Sequence, residues 1–286
     1  MHSFILQTIN GISYAALLFL LASGFTLTFG LMRIVNMAHG GLYLFGGYVG
    51  LTVAKATGNF AFALLAGGAA AAVLGFISDR FLIRRAGEDH LSQVLITVGL
   101  TYIIGDVSLK IWGGDALKLP VPVWLRGVVE LPGEIVYPTY RLFLILVGIA
   151  VAVGLWLIYR RTQIGAAIRA GVDDREMVSA TGIHVDRLFI MVSALASFLA
   201  GFSGVLGGAF LTVYPGAEWE ILVFALVVVI VGGLGSLEGA MIGALIVISF
   251  LCLAALRWPS HMQRGLNGLF GRHPDAPSPA PSEPRK

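Results

Sequence analysis

Lysine is scarce in this chain, and none of it stands where a bound nucleotide would need it. The four lysines are Lys55, Lys110, Lys118 and Lys286, and none follows a glycine. A Walker-type phosphate loop requires a Gly-Lys pair, because backbone amides and one ammonium hold the phosphates together. If the protein's work uses ATP, another polypeptide hydrolyses it. The single cysteine, Cys252, excludes an intrachain disulfide and a cysteine metal cluster. The six histidines are scattered without metal-ligand spacing, so neither a metal nor a cofactor is expected. No Lys or Arg precedes Arg33, so the start lacks the basic region of a cleavable signal peptide, and the first apolar run is expected to stay in place. Charged residues make up 12% of the chain, about half the ~25% of a soluble domain. No Asp, Glu or Lys falls mid-run in a series that would make a proton relay.

What remains is mostly apolar: 57% of the residues are hydrophobic and the mean hydropathy is +0.86. Apolar runs near twenty residues recur without the period-two alternation of barrel strands. These runs predict an all-α, polytopic transmembrane bundle, since only helices and closed barrels satisfy every backbone group in lipid. The runs cover about residues 4–31, 42–56, 60–78, 91–112, 142–159, 188–213, 221–231 and 237–256, about eight spans within a single transmembrane domain 1–256. Residues 113–140, with Pro120, Pro122, Pro132 and Pro138, form a long external loop. Residues 257–286 form a polar Pro/Ser-rich tail expected to be disordered. Arginines cluster around Arg33, Arg80–Arg85 and Arg160–Arg187, on one side if the spans alternate. That side is therefore cytoplasmic and the N-terminus external. The net charge of +3 is explained by these loops and needs no nucleic acid.

Residues 160–187, RRTQIGAAIRAGVDDREMVSATGIHVDR, interrupt the apolar pattern. Thr162 is placed to cap a short helix ending at Gly171. Asp173 at an N-cap, with Glu176 three residues on, has the spacing of a capping box, and Gly182 is a stop signal. Two short helices beside the membrane, with interleaved charges, make a docking surface for a partner. Elsewhere, Gly235, Gly239 and Gly243 recur at every fourth position, as do Gly46 with Gly50 and Gly204 with Gly208, which allows close helix packing in lipid. Asp106 and Lys110, four apart, have the spacing of an ion pair. Gly201-Phe202-Ser203-Gly204 matches the GxSG of intramembrane serine proteases, but the only later histidines, His261 and His273, lie past the last apolar run. His39 reads as a hydrogen-bonded core histidine.

Three islands carry a resemblance. LTFGLMRIVNMAHGGLYLFGGYV contains Asn36-Met37-Ala38-His39-Gly40. The polar stretch supplies Gly165, Arg169, Ala170, Asp174-Arg175-Glu176-Met177 and Gly182-Ile183. VGGLGSLEGAMIGA runs from Val231 to Ala244. In this order they resemble the permease subunits of branched-chain amino acid ABC importers of the high-affinity leucine/isoleucine/valine type. Met37 departs from the family's Asn-Phe-Ala-His-Gly pattern. Gly268-Leu269-Phe270-Gly271 resembles the family's tail, without the apolar segment that usually precedes it. The resemblance implies a helical importer core in a bacterial inner membrane, paired with a homologous second permease. It further implies two ATP-hydrolysing subunits and an external solute-binding protein that delivers an amino acid. It places Gly165, Arg169, Asp174, Arg175, Glu176 and Gly182 in the ATPase-coupling loop and Asn36, His39 and Gly40 along the translocation pathway. Two other readings stand beside it, a passive small-solute channel and an intramembrane protease using Ser203. Uptake that survives ATP depletion favours the first, and reaction of Ser203 with a fluorophosphonate favours the second.

Overall fold

The computed structural model describes residues 2–32, 35–86, 89–131, 135–173, 178–179 and 184–257. Its helices are α1 (His2–Met32), α2 (Ala38–Thr57), α3 (Phe60–Phe81), α4 (His90–Trp112), α5 (Thr139–Arg161), α6 (Gln163–Asp173), α7 (Val185–Phe210), α8 (Ala217–Gly232) and α9 (Leu237–Arg257). The eight apolar runs are eight of these helices, and α6 is the first short helix of the polar stretch. Length and composition qualify α1, α3, α4, α5 and α7 as membrane spans, or six spans if α8 and α9 are counted as one broken span. α2 is 20 residues long but carries five glycines.

The eight runs are not eight simple crossings. α8 and α9 are bent by 115° across a short break. A Cβ on Gly243 would lie 2.4 Å from Val228 O, and one on Gly239 would lie 1.8 Å from Gly232 O, so α9 folds back onto α8. This corrects one expectation. Gly235 is not on a helix face with Gly239 and Gly243, because α9 begins only at Leu237. Gly235 sits in the break at φ +86°, a left-handed conformation that favours glycine, and packs against Gly30 of α1.

The bundle is organised around α2 and α7. A Cβ on Gly46 (α2) would come within 2.3 Å of Gly201 Cα (α7). One on Gly201 would reach 2.4 Å from Gly67 O (α3), and one on Gly67 would reach 2.5 Å from Gly46 O. Three backbones therefore meet where no side chain fits, the close approach that small residues allow in lipid. Around this centre α3, α4 and α5 turn Phe62, Leu95, Ile103 and Leu146 outward, as helices facing lipid do.

Asn59 caps α3, its side chain accepting from Ala61 N (3.0 Å) and Phe62 N (3.3 Å). Asp89 caps α4 in the same way through Leu91 N and Ser92 N. The Ser92 hydroxyl bond, then these amides, hold the Asp89 carboxyl below its ordinary range. Asp106 and Lys110 are exposed on α4, and among the described residues no ion pair joins them.

The 113–140 loop is more ordered than its prolines suggest. It contains an antiparallel hairpin of β1 (Val128–Leu131) and β2 (Ile135–Pro138), with Val129 opposite Tyr137. Leu117 exchanges both backbone hydrogen bonds with Val213 at 2.8 Å, and the Tyr137 and Ser13 hydroxyls meet at 3.0 Å. This segment thus closes the end of the bundle opposite Arg160 and Arg161.

Candidate functional site

The segment Asn36-Met37-Ala38-His39-Gly40 starts α2, and every part of it is held. Asn36 Oδ1 accepts from Ala38 N at 3.0 Å, and Asn36 O accepts from His39 N at 3.2 Å. This Asx-type turn is one that Asn builds from its own side chain. α4 grips the next residue: Met37 N donates to Thr97 Oγ1 (3.2 Å), and Thr101 Oγ1 donates to Met37 O (3.0 Å). His39 is 1% exposed, with Nε2 3.1 Å from Leu21 O. A carbonyl only accepts, so Nε2 carries the proton and Nδ1 is left as an acceptor, without a partner among the described residues. Phe25 meets the ring edge-on at 5.8 Å, and Gly24 clears space for it. Gly40 lies so close to α8 that a Cβ would stand 2.4 Å from Glu218 O.

These contacts fix how deep α2 begins. Leu21 lies eleven residues before Met32, the end of α1, which is about 16 Å at 1.5 Å per residue. Thr101 stands midway along α4. α2 therefore starts about halfway through a ~30 Å apolar slab rather than at its surface. Irregular backbone at that depth persists only where protein buries it or a cavity borders it, and discontinuous helices at the midplane are how transporters build solute sites. Asn36, His39 and Gly40 are thus brought together by the fold.

Sequence reasoning missed Glu218. It is 4% exposed in the first turn of α8, and its Oε2 accepts from Gly216 N at 2.7 Å. Glu220 accepts from the Tyr214 hydroxyl at 2.8 Å. Burial, then this bond, pushes the Tyr214 phenol up to about 12. The available signal was two carboxylates beside Pro215-Gly216, where a helix N-terminus favours negative charge.

A second polar construction lies at the α5–α6 junction. Thr162 serves two helices: its hydroxyl donates to Ile158 O (2.6 Å) at the end of α5 and accepts from Gly165 N (3.1 Å) at the start of α6. A Cβ on Gly165 would lie 2.2 Å from Tyr159 O and 2.3 Å from Ile158 O, so only glycine permits this approach. Arg169 donates to Tyr159 O and lies over the Tyr159 ring at 5.2 Å. Its guanidinium is therefore a strut within the chain as well as a candidate docking group. Ala167 and Ile168 are buried with Leu27, Leu155, Leu188 and Leu237. Gln163, Ile164, Ala166 and Ala170 form the exposed face. α6 runs past Gly171 to Asp173, two residues beyond the expected stop. Asp174, Arg175, Glu176 and Gly182, and the tail from 258, lie outside the described residues. Arg160 pairs with Glu238 at 2.8 Å on the surface.

The Ser203 hydroxyl is fully buried and donates to Ala200 O at 2.8 Å, an ordinary helix back-bond. Among the described residues no group of three or more His, Cys, Asp or Glu is placed to hold a metal. A glycine-packed bundle of apolar helices, with one helix starting inside the slab and a short helix braced at one end, defines a multi-pass membrane protein.

Residues 7–269 place the chain in a particular family: it belongs to the permease components of branched-chain amino acid transport systems. It is a transport subunit rather than an enzyme. It is 25% identical over 261 residues to the high-affinity branched-chain amino acid transport permease BraD of Pseudomonas aeruginosa, covering 86% of this chain and 84% of that one. To LivH of Escherichia coli K12, named for the same transport, it is 26% identical over 257 residues, covering 85% and 83%. The ribose import permease RbsC of Haemophilus influenzae is 30% identical over 149 residues, half of this chain and 39% of its own. No solved structure matches.

Proposed function

We propose that this chain is a permease subunit of an ATP-driven importer for branched-chain or related amino acids. It sits in a bacterial inner membrane with its N-terminus outside. It pairs with a homologous second permease and two ATP-hydrolysing subunits, and an external solute-binding protein delivers the amino acid. The names of the BraD and LivH relatives support the solute class.

The observation that carries the coupling role is the α5–α6 junction. Thr162 ends one helix and begins the next, Gly165 brings their backbones into contact, and Arg169 ties α6 to Tyr159. A push on α6 therefore passes into α5 instead of being lost in a loose link. α6, with the following segment that holds Asp174, Arg175, Glu176 and Gly182, rests on the ATPase. ATP-driven closure of the ATPase pair moves α5 and α7 through it. Different contacts in the two states supply the coupling energy. The solute passes the midplane start of α2, beside Asn36, His39 and Gly40.

The test is uptake by proteoliposomes that hold the complete transporter and its binding protein. Labelled leucine, isoleucine or valine is expected to accumulate against a gradient only when ATP is supplied on the ATPase side. Equal uptake without ATP would overturn the ATP-driven mechanism. No uptake of any of the three would overturn the solute class.

A further inference from the structure

Several polar groups buried between α2, α4 and α8 take no part in the contacts that hold α2 in place. Glu218 is the first, with one oxygen on Gly216 N. Its Oε1 faces α4 at Gly105, where a Cβ would stand 3.0 Å from it. On α4, Thr97, Thr101, Gly105 and Ser108 follow one another at spacings of four, four and three, and all are buried. Such spacing makes a single helix face. The two threonines hold Met37. Ser108, one turn beyond Gly105, is fully buried, and its Oγ has no hydrogen-bond partner among the described residues. Tyr48 of α2 repeats the pattern. It is fully buried with an unpartnered hydroxyl, and its ring stacks at 4.9 Å on Trp112, the next turn of α4 after Ser108.

We infer that Glu218, Ser108 and Tyr48 form a recognition point for the primary ammonium group of the transported solute. An ammonium offers three donors and no acceptor. A carboxylate supplies the countercharge, and two hydroxyl oxygens supply further lone pairs, from three different helices. Within a membrane bundle a carboxylate is costly unless it meets a cation, so an intramembrane acid marks a pathway or a binding group. Gly105 completes the arrangement by leaving the α4 face clear in front of the carboxylate. The inference rests on the proposed function, in which the solute is an amino acid, and adds the group that reads its amino end.

The experiment measures binding of labelled leucine to the purified transporter complex without its binding protein. Competitors are 3-methylbutylamine, which keeps the ammonium and loses the carboxylate, and 4-methylpentanoate, which does the reverse. In the wild type both ends bind, but only the amine's competition depends on Glu218. Glu218→Gln is expected to weaken leucine binding by about tenfold or more, the scale of a charge-assisted hydrogen bond. It is also expected to abolish competition by the amine while sparing that by the acid. Ser108→Ala, a milder change, is expected to weaken leucine and amine together by several-fold. Wild-type leucine affinity in both variants overturns the assignment, as does amine competition that survives in Glu218→Gln. A lowered melting temperature with unchanged affinity overturns it too, because the groups then hold only buried water. Should Glu218→Gln fail to assemble, Ser108→Ala and Gly105→Ala carry the test. If wild-type proteoliposomes take up none of the three branched-chain amino acids, the solute class fails; normal uptake with unaltered variants removes only the ammonium site.

Discussion

Gly165→Ala tests whether the α5–α6 junction transmits force. The new Cβ would lie 2.2 Å from Tyr159 O, and real contacts of this kind do not fall below 3.0 Å, so the junction must open by at least about 0.8 Å (3.0 − 2.2). Both oxygens nearest the new atom are backbone, so no side-chain rotation relieves the clash. Thr162, the pivot, lies three residues away, about 4.5 Å along the helix. An opening of 0.8 Å over that arm is a rotation of roughly 10°, which carries Asp173, about 16 Å from the pivot, through about 3 Å. Overpacking of this kind costs about 1–3 kcal/mol. Because α6 lies at the edge of the bundle, the protein still assembles and its melting temperature falls by only a few degrees. The proposed coupling surface is nonetheless displaced, and misplacement by an ångström or more far from the chemistry can cost about 100-fold in rate. We expect uptake of leucine and binding-protein-stimulated ATP hydrolysis, measured in the same proteoliposomes, to fall by about tenfold or more. Gly154→Ala on α5 is the control, because its added Cβ meets nothing within 4 Å. Wild-type uptake by an assembled Gly165→Ala transporter would refute the rigid junction.

Thr162→Ala removes the α6 cap and its bond to Ile158 O at once, a loss of about 1 kcal/mol. Amide hydrogen exchange in α6 should quicken by about fivefold, with α7 unchanged. Asp89 gives a pH dependence of known sign. Its folded pKa lies below the unfolded value, so the cap is at full strength above the ordinary carboxylate range and is lost as pH falls through the depressed folded value. Protection at Leu91 and Ser92, corrected for intrinsic exchange rates, should drop at the acid end, and Asp89→Asn should flatten that drop. For orientation, a cysteine replacing Ser3 in a Cys252→Ser background should react with an impermeant maleimide in intact cells. Reaction only after lysis would place the N-terminus inside.

The helices were legible because lipid leaves the sequence little choice: each apolar run near twenty residues became a helix with ends within a few residues of those expected. The first short helix of the polar stretch was legible for a different reason, since Thr162 caps α6 through chemistry that is local in sequence. What the sequence could not disclose was tertiary. Gly235, Gly239 and Gly243 have the spacing of one helix face, yet spacing says nothing about where a helix starts, and the left-handed turn at Gly235 ends the series before α9 begins. Gly171 looked like a stop, but glycine ends a helix only if the chain turns there, and burial beside Ala167 and Ile168 carries α6 two residues further. Glu218 is the most instructive miss. Between Ala217 and Trp219, just outside an apolar run, it resembles a solvated acid at a helix start. It becomes a buried charge only because Gly40 and Gly105 lack side chains and let α2 and α4 close around it. Gly40, Gly105 and the acid that was passed over are therefore one construction: the missing Cβ atoms on two helices create the enclosure in which a third helix places its carboxylate.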